Sequence, residues 1–284
     1  PPNSNKRCRG ENGAPHTKQG TRMPKISYGS AVALSPRLRR ITAPNGGKMT
    51  GPGTNSYIVG HEELALVDPG PAIDVHIDAI VKLFGDRLKW ILVTHTHRDH
   101  SPAAREIADR TGAELIGNVI ENDGYQDTSF AGARAVAQDE RLQTSEFTLR
   151  ALLTPGHVSN HVCYLLEEDR IVMTGDHIMG GSTVVIVPPA GNMTHYMASL
   201  ERMLEYDIEF IAPGHGDLIN DPPGEIRYLI AHRLKREQKV VDALERLAEA
   251  DIGVLTPVVY DDVDKSLHPW AAKSLHAHLL KLEA

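Results

Sequence analysis

Only two cysteines occur in the 284 residues, Cys8 and Cys163, too few for a disulfide framework. Cys8 falls in a polar tail and Cys163 in an apolar, strand-like run from His161 to Leu166. Both are therefore expected to be free thiols of a protein in a reducing, cytoplasmic setting. No apolar run approaches the ~18 residues of a membrane span, and none near the N-terminus has the form of a signal peptide's apolar region, so no membrane association is expected. Acidic residues outnumber basic ones, 37 to 30. The net charge of -7 argues against general affinity for nucleic acid, which rests on neutralising phosphates, without excluding a metal-centred nuclease. No short internal repeat is visible, and oligomeric state is not legible.

The charge is unevenly distributed. Residues 1–22 hold five bases and one acid, or +4, which leaves -11 on the rest. This segment lacks apolar periodicity, and it is expected to be a disordered tail, a basic arm for a polyanion, or an addition ahead of a natural start at Met23. The length suits one large or two modest domains with ample apolar content for a core.

Against this background one segment stands out, Thr94-His95-Thr96-His97-Arg98-Asp99-His100. It places three imidazoles and a carboxylate directly after Leu88 to Val93, which reads as a buried strand. Neutral imidazole and carboxylate are the ligand types that hold zinc and similar divalent ions. If strand geometry persists, His95 and His97 point the same way while Asp99 and His100 lie on the turn beyond, an arrangement that can serve two metals. Three later strand-like runs also end in a glycine-containing turn and a ligand-type side chain. They lead into Thr154-Pro155-Gly156-His157, Thr174-Gly175-Asp176-His177 and Ala212-Pro213-Gly214-His215-Gly216.

With these residues in this order, the chain resembles the metallo-β-lactamase superfamily over residues 37–221, with all seven ligand positions filled. The resemblance implies His95, His97 and His157 on one metal, Asp99, His100 and His215 on a second, and Asp176 between them. It also implies a hydroxide bridging the ions as nucleophile, since metal coordination can lower the pKa of water to about 7. Asp99 would orient that nucleophile or take its proton. The expected cofactor is two divalent ions, zinc first, with manganese or iron sharing the ligand preference.

Strands are expected at about 39–43, 54–60 and 63–68, then a helix with Ile73, Ile77, Ile80, Val81 and Phe84 on one face. A helix from Pro102 to Arg110, further strands through 173 and a helix near 194–206 follow. The expected fold is α+β, a four-layer αββα sandwich over residues 23–221. From 222 to 284 a small helical unit is expected, with helices at Glu225–Ala250, near 255–260 and at Trp270–Leu282 after a break at Leu267-His268-Pro269. This resembles the winged-helix-like extension of the beta-lactamase-like protein 2 branch, as do Gly53-Thr54-Asn55-Ser56-Tyr57, Tyr196-Met197-Ala198-Ser199-Leu200 and the run His232 to Gln238. The chain stops at Ala284, where that branch would continue into a wing hairpin, so the extension is expected to be truncated.

Asp68, in Leu66-Val67-Asp68-Pro69-Gly70, is expected to accept a hydrogen bond from a metal-ligating imidazole, with turn capping as the alternative. His161 and His177 adjoin ligand loops and are expected to be packed or hydrogen-bonded rather than coordinating. His195 and Tyr196 open a helix near the expected pocket and are candidates for substrate contact, Tyr196 equally for the core. Arg233, Lys235, Arg236 and Lys239 read as a solvated face, with RNA contact as the minor alternative.

The function expected is that of a dinuclear metal-dependent hydrolase. By resemblance, a carboxylate at 176 matches the nuclease, thioesterase and glyoxalase-II-like groups, so hydrolysis of β-lactams would be incidental. The branch motifs favour an endoribonuclease acting on single-stranded RNA; the acidic body and the truncated wing favour a small ester or thioester. The nuclease is slightly preferred because those motifs span most of the chain. A catalytically inactive interaction module is the reading of another class, and intact ligand positions weigh against it.

Overall fold

A computed structural model of the chain describes residues 27–247 and 249–284. The tail expected over 1–22, with Cys8, lies outside the described residues. Cys163 is free and buried, and burial pushes its thiol up to about 12.

The strands are apolar on both faces because alternate residues serve two different cores. The first sheet runs in the order β1 (Val32–Ala33), β2 (Leu38–Thr42), β3 (Asn55–Val59), β4 (Leu64–Val67), β5 (Leu88–Leu92) and β6 (Glu114–Ile116). Its first four strands are antiparallel, and β4, β5 and β6 pair in parallel. Tyr57, Val59, Ala65 and Val67 face the second sheet. Their neighbours Ile58, Leu64 and Leu66 face α1 (Asp74–Phe84) and α2 (Ala104–Thr111), which contribute Ile77, Ile80, Phe84 and Ile107.

The second sheet has the order β11 (Phe210–Pro213), β10 (Ile171–Gly175), β9 (Val162–Leu166), β8 (Thr148–Leu153) and β7 (Arg141–Gln143). Val162, Tyr164 and Leu166 of β9 enter the inter-sheet core, while Cys163 and Leu165 face α3 (Met193–Met203). The product is the expected four-layer αββα sandwich. Two of the three parallel pairs, β4 with β5 and β10 with β11, direct their C-terminal ends to one edge, where loops carry functional groups in such sheets.

After β11 no strand follows among the described residues, in keeping with a helical C-terminus. α4 (Pro222–Leu247) packs Ile226 and Leu229 into the same outer core as α3. Its later turns, with Val240 and Ala243, join α5 (Ile252–Val259) and α6 (His268–Glu283) in a separate cluster around Leu255, Val259 and Leu275. α6 begins at His268, within the expected break and before the expected start at Trp270, because Pro269 occupies its first turn, where a missing N–H costs nothing. α3 is shorter than expected at its C-terminal end; Asn192 caps its start by accepting from the His195 backbone N–H. No helix of the described residues is long and apolar enough to cross a membrane.

Candidate metal centre

β5 ends at Leu92, so His95 and His97 lie on a loop rather than on a continuing strand. They converge nevertheless, through different nitrogens: His95 Nε2 is 2.9 Å from His97 Nδ1. His157 Nε2, from the loop after β8, is 3.0 Å from the same His97 atom. The turn beyond is closed by the His100 N–H donating to the His97 carbonyl at 3.0 Å, which swings Asp99 and His100 to a second group. There, with Asp176 after β10 and His215 after β11, four ligand-type atoms all lie within 4.8 Å of one another.

Asp176 touches both groups. Its Oδ1 is 3.3 Å from His215 Nε2 and 3.4 Å from His100 Nε2, and its Oδ2 is 3.8 Å from His157 Nε2. Asp99 Oδ2 is 3.3 Å from His215 Nε2. Gly214 permits this closeness, since a Cβ there would stand 2.8 Å from the His100 ring and 3.0 Å from Asp176 Oδ1.

The far side of each imidazole is held. His157 Nδ1 donates to the Val185 carbonyl at 2.7 Å, which leaves Nε2 as a lone pair aimed at the cluster. Asp68 Oδ2 is 2.8 Å from His100 Nδ1 and accepts from the Thr94 hydroxyl, while its Oδ1 accepts from the Thr94 N–H. Thr94 Oγ1 is in turn 3.0 Å from His95 Nδ1. His215 Nδ1 is 3.3 Å from the Gly53 carbonyl. The Val185 and Gly53 carbonyls have no counterpart in the sequence reading, because any residue carries a carbonyl.

The electrostatics of the two groups differ. Burial, with neighbouring imidazoles adding to it, holds His95 well below its ordinary value and takes His97 to about 3; His157 is lowered mainly by burial. These are three neutral donors around one point. In the second group burial opposes charge on His100 and His215, but the carboxylates outweigh it. Asp99, Asp176 and Asp68 hold His100 well above its ordinary value, and Asp176 with Asp99 raises His215 to about 9. Buried His100 Nε2 and Asp176 Oδ1 have no hydrogen-bond partner. Three converging neutral imidazoles beside a carboxylate-rich group form a donor set that fits two divalent cations.

The groups line a cleft of about 270 Å³ whose other walls include Met49, Tyr125, Val158, Met179, Val185 and Trp270. Trp270 comes from α6, so the C-terminal helices form part of the cleft; nothing in local sequence pattern marked it. Tyr196 does not reach this cleft. It is fully buried, donates its hydroxyl to the His177 carbonyl at 3.0 Å and packs in the core, because the first turn of α3 turns its apolar face to the second sheet. His195 is exposed and is not among the cleft-lining residues. His161 and His177 are buried outside both groups, His161 stacked on His95 with ring centroids 5.0 Å apart. The basic run on α4 is not a solvated face: Arg233 and Arg236 are buried, Arg236 and Lys239 pair with Asp262 and Asp261, and Lys235 is exposed.

The chain matches the family model described as Metallo-beta-lactamase superfamily over residues 49–215. Residues 252–284 match the one described as Beta-lactamase associated winged helix domain. Over 218 residues it is 32% identical to an atrochrysone carboxyl ACP thioesterase of Cryptosporiopsis sp. (strain 8999), taking in 75% of this chain and 65% of that protein, just under two thirds of the relative's length. It is 30% identical over 274 residues to a beta-lactamase-like protein 2 homolog of Drosophila melanogaster, covering 89% of this chain and 92% of that one. Its fold is similar to that of a beta-lactamase domain protein from Burkholderia ambifaria, with a TM-score of 0.77 at 18% identity over 92% and 91% of the two chains.

Proposed function

We propose, from the premise that the chain belongs to the metallo-beta-lactamase superfamily and is one of its metal-dependent hydrolases, that it hydrolyses small esters or thioesters with two metal ions. The observation that carries this reading is the apolar cleft that opens directly onto the two ligand groups. His95, His97 and His157 would hold one ion and Asp99, His100 and His215 the other, with Asp176 shared. Zinc suits this donor set, as do manganese and iron. When bound, such ions supply Lewis acidity and an acidified water.

The chain's own groups set the rest of the reaction. Met49, Val158, Met179 and Val185 exclude bulk water and receive an acyl group. Asp99, at the cleft wall, is placed to take the proton from the attacking water and return it to the departing sulfur or oxygen. One water is consumed, the acyl carbon gains a bond to oxygen and loses its bond to the leaving atom, and an acid and a thiol or alcohol result. Similarity to a thioesterase supports this choice. Cleavage of single-stranded RNA has less support, because most of the basic groups expected to contact it are buried or paired.

Elemental analysis of the loaded protein is expected to give two ions per chain; one ion would overturn the dinuclear scheme. Asp99→Ala and Asp176→Ala are each expected to lower thioester turnover more than about a hundredfold, a barrier increase of about 2.7 kcal/mol, with circular dichroism unchanged. Turnover within about tenfold of wild type would remove their assigned roles. RNA cleavage without thioester turnover would reverse the substrate preference.

A further inference from the structure

Beside the cleft lies a second cavity of about 220 Å³, and the two share Met49, Met179, Thr183, Val184, Val185 and Trp270 in their walls. Charge reverses from one to the other. The cleft is lined by Asp99, Asp123 and Asp176 against the single base Arg98, whereas the second cavity has no acidic lining residue and carries Lys48, His232, Arg233 and Arg236. Arg236 is answered by Asp262 and the Val259 carbonyl. Arg233 is not answered in the same way.

Arg233 is 3% exposed. Its Nη2 donates to the Val184 carbonyl at 2.5 Å and its guanidinium stands 5.2 Å over the Tyr196 ring, which accounts for its placement. Its Nε has no partner, and no carboxylate pairs with it among the described residues. Two more buried polar atoms of residues lining this cavity lack partners, the Tyr260 hydroxyl and His232 Nδ1. Buried polar atoms are nearly always paired, and three unpaired ones around a single cavity with a cationic wall, two of them the donors Arg233 Nε and the Tyr260 hydroxyl, call for an acceptor that is itself anionic.

We propose that the second cavity is a subsite for an oxyanion, a carboxylate or phosphate, carried at the far end of the substrate's acyl arm. The substrate then has its reacting carbonyl at the metal groups, an apolar middle against Met49, Met179, Val185 and Trp270, and a negative end at Arg233, Tyr260 and His232. The position of the reacting end rests on the hydrolase reading above; the anion subsite does not.

The test pairs two thioesters of equal chain length, one ending in a carboxylate and one in a methyl group, with the metal-loaded full chain. The carboxylated member is expected to have a kcat/KM about tenfold or more higher, the scale of one charge-assisted hydrogen bond. Arg233→Met is expected to bring that ratio to about one and Tyr260→Phe to reduce it severalfold; the second variant serves if loss of packing on Tyr196 unfolds the first. Equal rates for both thioesters would overturn the subsite and leave the hydrolase reading standing. If neither thioester is hydrolysed, the thioester reading fails, and titration of Trp270 fluorescence with a medium-chain dicarboxylate decides the subsite. Saturable quenching that Tyr260→Phe weakens would support it, and no quenching would overturn it. Inorganic phosphate that saturates the signal without competing with the carboxylated thioester would assign the cavity to a free anion and overturn the acyl-arm proposal.

Discussion

Asp68 spends both carboxylate oxygens on Thr94 and His100, and its backbone adopts φ 53° to do so. Removing the carboxylate leaves the buried Thr94 N–H unpaired and His100 free to turn. Asp68→Ala is therefore expected to weaken metal retention about 10- to 100-fold, as read by competition with a chelator; unchanged retention would mean that Asp68 only caps its turn. His76, outside the two ligand groups, offers a pH test. It is buried with Nε2 3.1 Å from the Ser56 hydroxyl, and burial lowers it to about 4. The unfolded imidazole takes up a proton near pH 6.5 and the folded one only near 4, so this residue makes stability fall as pH drops through that window. His76→Gln is expected to flatten this part of the stability profile relative to wild type in the same metal state. Identical slopes in urea unfolding between pH 7 and 4.5 would sink the assignment.

At the scale of elements, the loop from β8 to β9 and the start of α3 are fitted to each other. Gly156 has φ 156°, its carbonyl accepts from the Asn192 N–H at 2.8 Å, and a Cβ on it would lie 2.4 Å from Tyr196 Cα. Neither backbone can yield without moving His157 or the helix. Gly156→Ala is expected to cost about 2–5 kcal/mol, measured by denaturant unfolding, and to loosen metal at the His157 side. A loss below about 1 kcal/mol would show that the contact relaxes cheaply. The α3 case also shows how a helix start can mislead. Residues 195 and 196 are adjacent in sequence, yet the helix turns one to solvent and the other into the core, and the cleft lies beyond both.

At the scale of the molecule, α4 and α6 are bound to the sandwich by shared burial. Ile226, Leu229 and Ala277 sit in one cluster with Leu152, Val172 and Tyr196, and Trp270 completes the cleft wall. A chain ending at Asp221 is expected to expose that cluster and to bind a hydrophobic dye or aggregate, rather than persist as a compact metal-binding protein. A soluble, cooperatively unfolding, metal-loaded truncation would show that the sandwich stands without its helices. Trp270→Ala, by contrast, is expected to leave folding intact and shift the preferred acyl length, checked with a series of thioesters; an unchanged length profile would remove Trp270 from substrate selection.

The ligand-type residues and the layered fold were legible because each rests on local order. Strand-like runs end in glycine turns, then His or Asp, and alternate apolar residues report two buried faces. The pairing of His95 with His97 was legible only in outcome, since a loop and two different ring nitrogens achieve what strand alternation was expected to do. Cleft walls, the orienting carbonyls of Val185 and Gly53, and the burial of Arg233 could not be read in that way. They depend on residues far apart in the chain meeting at one edge of two sheets. A backbone carbonyl has no sequence signature, and a basic residue on an amphipathic helix is solvated or buried according to which neighbour packs over it. The sequence by itself determined which side chains could be offered to a metal; the tertiary structure decided how they converge and which residues wall the cleft beside them.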